Sequence, residues 1–184
     1  MNTPAGHTLF DTVVGRCAMG WSACGIAGVQ LPDGSDEATR ARLLRYTGPL
    51  PCATPPPEVG LVIVAVQALL AGQAHDLSAV VLDMAGLTDF QRRVYATTCR
   101  IPPGQTRTYG DIATELGDRH LARAVGQALG FNPFAPIVPC HRVLAAGHKP
   151  GGFSAHGGAA TKLRMLAAEG VLQGDTRSLF DGAW

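Results

Sequence analysis

The chain reads as an α/β protein in two parts: a small sheet with covering helices over residues 1–86, then a mainly helical part over 87–184. Up to Gly86, short apolar runs broken by glycine are interspersed with a few helical stretches. From Thr88 onward, apolar residues recur mostly at helical spacing. Formal charge also changes sign along the chain. Residues 1–89 hold four Arg/Lys against eight Asp/Glu, and 90–184 hold eleven against six. The second half therefore suits a polyanionic partner.

The elements follow in order. Leu9 to Val14 and Arg16 to Met19 flank Gly15 and predict a hairpin, with a third strand near Gly25 to Leu31. Asp36 to Tyr46 has helical spacing, with Ser35 or Asp36 as its cap. Pro49 to Pro57 must be loop or extended chain, because proline lacks the amide that a helix needs. A helix resumes over Val59 to Leu70 and ends at Ala71-Gly72; Val80-Val81-Leu82 predicts a short strand before Gly86. Thr88 caps a helix over Asp89 to Thr98, and Ile101-Pro102-Pro103-Gly104-Gln105 turns the chain. Thr108 precedes a helix over Tyr109 to Leu116, closed by Gly117, and another runs from about Leu121 to Leu129. These two short helices, the second carrying Arg123, form a helix-turn-helix candidate. A last helix is predicted over Ala160 to Ala168.

Composition narrows the function classes. With 46% hydrophobic residues, 184 residues suffice for a substantial core. Five cysteines at irregular positions suggest no disulfide framework and favour a reducing compartment, hence a cytoplasmic location. The first residues show no basic-then-apolar signal pattern. The longest apolar stretch, Val59 to Leu70, is too short to span a bilayer, so no membrane partner is expected. Cys17, Cys24, Cys52 and Cys99, with His7 and His75, lack the compact spacing of a zinc site, and no dinucleotide or phosphate loop is present. No metal and no cofactor are expected.

The run Pro139-Cys140-His141-Arg142-Val143, behind Ile137-Val138 and Asn132-Pro133, carries the chemistry. Cysteine is nucleophilic as thiolate, and a histidine in the same network can accept the thiol proton while a third group orients the imidazole. A buried structural thiol is the plain alternative.

With these residues the chain resembles the O6-alkylguanine-DNA alkyltransferases, or methylated-DNA–protein-cysteine methyltransferases. The match runs through Ile101 to Tyr109, Ala122-Arg123-Ala124-Val125-Gly126-Gln127-Ala128, Asn132-Pro133, Ile137 to Val143, Gly157-Gly158, Lys162, Leu166 and Glu169-Gly170. It is dense from Phe90 to Gly170 and weak before that. The resemblance implies a ribonuclease-H-like α/β domain followed by a helical DNA-binding and catalytic domain. It also implies a monomer that flips O6-alkylguanine out of double-stranded DNA and takes the alkyl group irreversibly, once per molecule, without a cofactor.

Roles carry over by position. Cys140 would be the acceptor and His141 its base, acting through water, with Glu169 orienting the imidazole. Asn132 would brace the network, and Tyr109 would contact the guanine edge and assist its departure. Arg123 would fill the gap left by the flipped base, on a helix whose small residues Ala122, Ala124 and Gly126 approach a groove floor. Val143, Phe153 and Ser154 would line the pocket, and Arg142 would tie the active-site turn to its surroundings. Two departures stand out. The family usually has tyrosine at position 153, and Ser154 to Gly158 is about two residues longer than the compact family form. Non-catalytic alkyltransferase-like proteins share the fold but lack the cysteine, so Cys140 argues against that reading. A cysteine hydrolase using Cys140, His141 and Glu169 usually draws its histidine from a distant segment.

Overall fold

A computed structural model describes residues 4–171. Strands β1 (Gly6–Thr12), β2 (Gly15–Ser22) and β3 (Gly25–Gln30) form an antiparallel meander. The first hairpin pairs Thr12 with Gly15 and Phe10 with Cys17, as the apolar runs around Gly15 predict. Gly25 is obligatory: its φ is +135°, and a Cβ there would lie 2.5 Å from the Val81 carbonyl oxygen.

Two helices cover the sheet. Helix α1 (Asp36–Thr47) starts where Ser35 accepts a bond from the Ala38 amide, and it buries Thr39 and Leu43 against β2 and β3. Helix α2 (Pro57–Leu70) starts two residues earlier than predicted and takes in Pro57 from the stretch read as loop, because at the first helical position the missing amide has no intrahelical acceptor to lose. Its Val59, Ile63, Val66 and Leu69 close a first core with Met19, Trp21, Ile26 and Val29. Ile137 and Met165 from the second half complete it. No helix among the described residues is long and apolar enough to cross a membrane.

Val80 to Leu82 is not the predicted strand but a single bridge on the edge of β3. Ile26 exchanges bonds with Val81 and Asp83, at 2.9 and 2.8 Å. The Asp83 carboxylate then accepts from the Ala85 amide (3.0 Å) and from Ser22 (2.5 Å), turning the chain away before a second pair forms. Further along the same edge, Val29 donates to the Pro133 carbonyl at 2.8 Å. The edge of the sheet is thus met by the second half.

The remaining helices are α3 (Asp89–Cys99), α4 (Tyr109–Glu115), α5 (Ala122–Gly130) and α6 (Gly158–Ala168). Thr88 with Gln91, and Thr108 with Asp111, make reciprocal capping boxes that set the starts of α3 and α4. A second core forms among α3, α4 and α5 around Val94, Tyr95, Ile112, Val125, Leu129 and Phe134. Tyr95 stands edge-on to Phe134 and donates to the Ala128 carbonyl at 2.9 Å.

Candidate active site

The loop after α5 is held by one side chain. Asn132 donates through Nδ2 to the Val138 carbonyl (2.8 Å) and accepts through Oδ1 from the Phe134 amide (2.9 Å). Cys140–Arg142 then forms a single 3-10 turn, in which the Cys140 amide bonds back to Val138 at 2.8 Å. Val143–Leu144, strand β5, pairs in parallel with β4 (Arg107–Thr108). That pairing brings the start of α4, and so Tyr109, to the turn that carries Cys140. Residues three decades apart in sequence meet through two backbone pairs.

Behind the thiol lies a buried set of charges. His141 Nε2 is 2.9 Å from Glu169 Oε1, with both side chains almost fully buried. Glu169 also accepts from Arg142 Nε (2.9 Å to Oε2) and Nη2 (2.7 Å to Oε1), while Arg142 Nη1 donates to the Ile101 carbonyl at 2.6 Å. Burial works to raise the Glu169 carboxyl, but hydrogen bonds from His141 and Arg142 overcome it and hold it at about 2. A carboxylate only accepts, so the proton it shares with His141 sits on Nε2. Burial lowers the His141 pKa against the pull of Glu169, which keeps the resting ring neutral. Its Nδ1 is buried without a protein hydrogen-bond partner among the described residues. The geometry leaves that nitrogen as the proton acceptor of the site.

Lys162 on α6 is fully buried. Its Nζ donates to the Val143 carbonyl at 2.6 Å and sits 5.7 Å from the centroid of the Tyr109 ring. Burial pushes its ammonium down to about 8, opposed by the Cys140 charge. Burial raises the Cys140 thiol; the Asn132 side chain, the Lys162 charge and backbone amides pull the other way. Cys17 and Cys99 are pushed up to about 11, chiefly by burial. Tyr109 is raised by burial and then by Cys140, so its hydroxyl remains a donor.

Cys140 opens onto a cleft of about 480 Å³. Tyr109, Ala122, Arg123 and Gly126 line one side, and Phe153 and Ser154 line the other. Gly126 faces the Tyr109 ring, and a Cβ there would meet it at an ordinary contact distance of 3.9 Å. Arg123 is exposed at the cleft mouth.

The structure thus brings Cys140, Tyr109, Arg123, Ala122, Gly126, Phe153 and Ser154 to one cleft, with His141, Glu169 and Asn132 in the layer beneath. Ala124 lies off the cleft, on another face of α5. Val143, read as a pocket residue, is instead buried in the second core, and only its carbonyl is used, by Lys162. Arg142 ties the turn down as read. Lys162 was read only as part of a motif; its position three and four residues before the buried Met165 and Leu166 marks it on the inward stripe of α6. No group of three metal-binding side chains occurs among the described residues.

Comparison with known proteins places this arrangement. Residues 89–171 match the family model of the 6-O-methylguanine DNA methyltransferase DNA-binding domain. A methylated-DNA–protein-cysteine methyltransferase of Mycobacterium tuberculosis is 44% identical over 116 residues, covering 63% of this chain and 68% of that protein. The crystal structure of Mycobacterium tuberculosis OGT in complex with DNA superposes with a TM-score of 0.71 at 33% identity, over 89% of this chain and 92% of that one. The O6-methylguanine-DNA methyltransferase of Pyrococcus kodakaraensis gives a TM-score of 0.68 at 25% identity, over 91% of this chain and all of that one. The chain belongs to the methylated-DNA–protein-cysteine methyltransferase family.

Proposed function

We propose that this protein repairs double-stranded DNA by moving an alkyl group from O6 of guanine to Cys140 Sγ, once per molecule. One observation carries the reading. The thiol faces an open cleft, while the imidazole of the next residue is held neutral, its Nε2 on Glu169 and its Nδ1 without a partner among the described residues. His141 Nδ1 takes the thiol proton, directly or through one water, and Glu169 stabilises the imidazolium that results. The thiolate attacks the alkyl carbon; the sulfur–carbon bond forms as the carbon–O6 bond breaks. The electron pair passes to guanine, which is then protonated. Lys162 favours the thiolate by its charge, and the Tyr109 hydroxyl, on a residue that lines the cleft, would donate to the leaving base. The thioether has no leaving step, so the protein is consumed.

The DNA side of the reading rests on α4 and α5. They pack together, joined through Gly117 and a 3-10 turn at Arg119–Leu121, as a helix-turn-helix would. Exposed Arg119 and Arg123 supply charge, and Arg123 at the cleft mouth would fill the space of an extruded base. The reading places the domain boundary between 86 and 87 and has a monomer act in the cytoplasm. Incubation with a duplex containing O6-methylguanine, followed by peptide mass mapping, tests it. The expected result is the mass of one added methylene unit on Cys140, saturating at one per molecule. Multiple turnovers, or a methyl group on another cysteine, would overturn it.

A further inference from the structure

We propose that Arg42, held by Asp33, positions the loop that closes the Cys140 cleft, so that the N-terminal sheet-and-helix unit sets which alkyl groups the cleft accepts. The inference rests on the alkyl-transfer reading. Arg42 lies on α1, which is packed on the sheet by Leu43 and Thr39. Its Nη2 donates to the Ser154 carbonyl, and its Nη1 is 3.4 Å from Asp33 Oδ1. Both partners are shielded, with side chains only 16% and 20% exposed, so water screens the pair less than it would on an open surface. Among the described residues no other hydrogen bond reaches Pro150 to Ser154. One guanidinium therefore supplies the polar restraint on this stretch.

The restrained residues are those beside the chemistry. Phe153 packs against both cores, and Phe153 and Ser154 form a wall of the cleft. Beneath them lies a small gap of about 10 Å³ bordered by Arg42, Tyr46, Asn132, Ser154 and Cys140 together. A shift of the loop opens directly onto the thiol. A second tie sits in the lengthened segment: His156 Nδ1 is 3.7 Å from the same Asp33 carboxylate, and its carbonyl accepts from Thr161 at 2.6 Å. The Asp33–Arg42 pair thus meets the loop on both sides of Ala155. A planar guanidinium reaches carboxylate and carbonyl at once through two fixed, divergent N–H groups, whereas an ammonium must bring both acceptors to one nitrogen.

A methyl adduct needs little of this wall, whereas a benzyl ring must lie against it. Single-turnover rates of the full chain should be measured on duplexes carrying O6-methylguanine or O6-benzylguanine in the same sequence, so that DNA binding cancels in the ratio. Arg42→Met is expected to lower the benzyl-to-methyl ratio about ten-fold, with Asp33→Asn smaller in the same direction and Arg42→Lys recovering part. Hydrogen exchange without DNA should speed up at the Gly158 and Ala160 amides, which close the far end of the loop by bonding to the Ala155 and Gly157 carbonyls, and stay unchanged in α3 to α5. Equal losses on both adducts, or an unchanged ratio with unchanged loop exchange, would overturn the proposal. A wild-type protein that alkylates Cys140 from neither duplex would overturn the transfer reading itself. The exchange measurement would then still decide whether Arg42 holds the loop.

Discussion

The two cores of this protein use the same apolar residue types, yet they differ in what else they bury. The first closes around Trp21, Met19, Val66 and Leu69, and its buried members among the described residues are all uncharged. The second closes around Tyr95, Phe134, Val94 and Ile112, and against it lie buried His141, Arg142 and Lys162 with the Glu169 side chain. Burying a charge is expensive unless it is paired and hydrogen-bonded. Here the carboxylate has two partners, and the lysine has a carbonyl and a ring face but no carboxylate among the described residues. The first core thus serves cohesion, whereas the second also carries buried charges that tie down the turn holding Cys140 and surround its thiol.

The sharpest way to break this contrast is Glu169→Gln. The neutral amide leaves Arg142 buried without its counter-charge and allows the other tautomer of His141. Stability should fall by about 3–5 kcal/mol, and transfer should slow about 10²–10⁴-fold. The wild-type carboxyl is held at about 2 against an ordinary 4.5, so its contribution is complete above the ordinary value and is lost as pH falls through about 2. Denaturant unfolding from pH 6 down to 2 should show that loss, of order 3 kcal/mol, in wild type and not in the variant. Parallel acid profiles would remove the coupling.

Leu69→Ala tests the other core. A buried leucine truncated to alanine costs about 2–5 kcal/mol. The transfer rate per folded molecule should nevertheless match wild type at a temperature where both are folded. A slowed rate would show that the first core tunes the site after all.

Lys162→Met separates charge from cohesion in the second core. At pH 7 the gain from removing a buried charge and the loss of a donor to Val143 nearly cancel, so stability should stay within about 1–2 kcal/mol of wild type. A lysine lowered to about 8 destabilises the fold while it is charged. Wild type should therefore gain on the variant as pH rises from about 8 to 10.5. Thermal melts of the pair across that range check this, since titrating cysteines and tyrosines are common to both proteins. Identical pH profiles would mean that burial does not lower the lysine from its ordinary value.

The smallest effect is expected at Phe153, which touches both cores. Phe153→Tyr adds one hydroxyl at the cleft wall. One new hydrogen bond is worth about 0.5–1.5 kcal/mol, so methyl or benzyl transfer should change by less than about ten-fold, with Cys140 still the acceptor. Unchanged single-turnover rates for both would mark position 153 as packing alone.

Several features were legible before any fold was known. The Ser35, Thr88 and Thr108 caps and the hairpin at Gly15 depend on a few adjacent residues, and each lies within about two positions of where local chemistry puts it, whereas Pro57, read as loop, is the first residue of α2. Cys140, His141, Asn132 and Glu169 were legible through family resemblance, because their order along the chain is a pattern. Other features were not. Val80 to Leu82 has strand composition, but whether it pairs depends on Asp83 capping Ala85 and bonding Ser22. Val143 looked like a pocket residue because its neighbours are, yet its side chain packs into the second core, among residues from distant helices.

By itself, then, the sequence determined the helices, the hairpin, the reactive cysteine and its class of chemistry, since those follow from local backbone preferences and motif order. Only the tertiary structure decided that Lys162 is buried under Tyr109, that Arg142 shares Glu169 with His141, and that Arg42 reaches Ser154 from 112 positions away. The reason is physical: a charged side chain keeps its ordinary pKa and its freedom until distant segments exclude water around it, and which segments meet is set by packing rather than by neighbours in the chain.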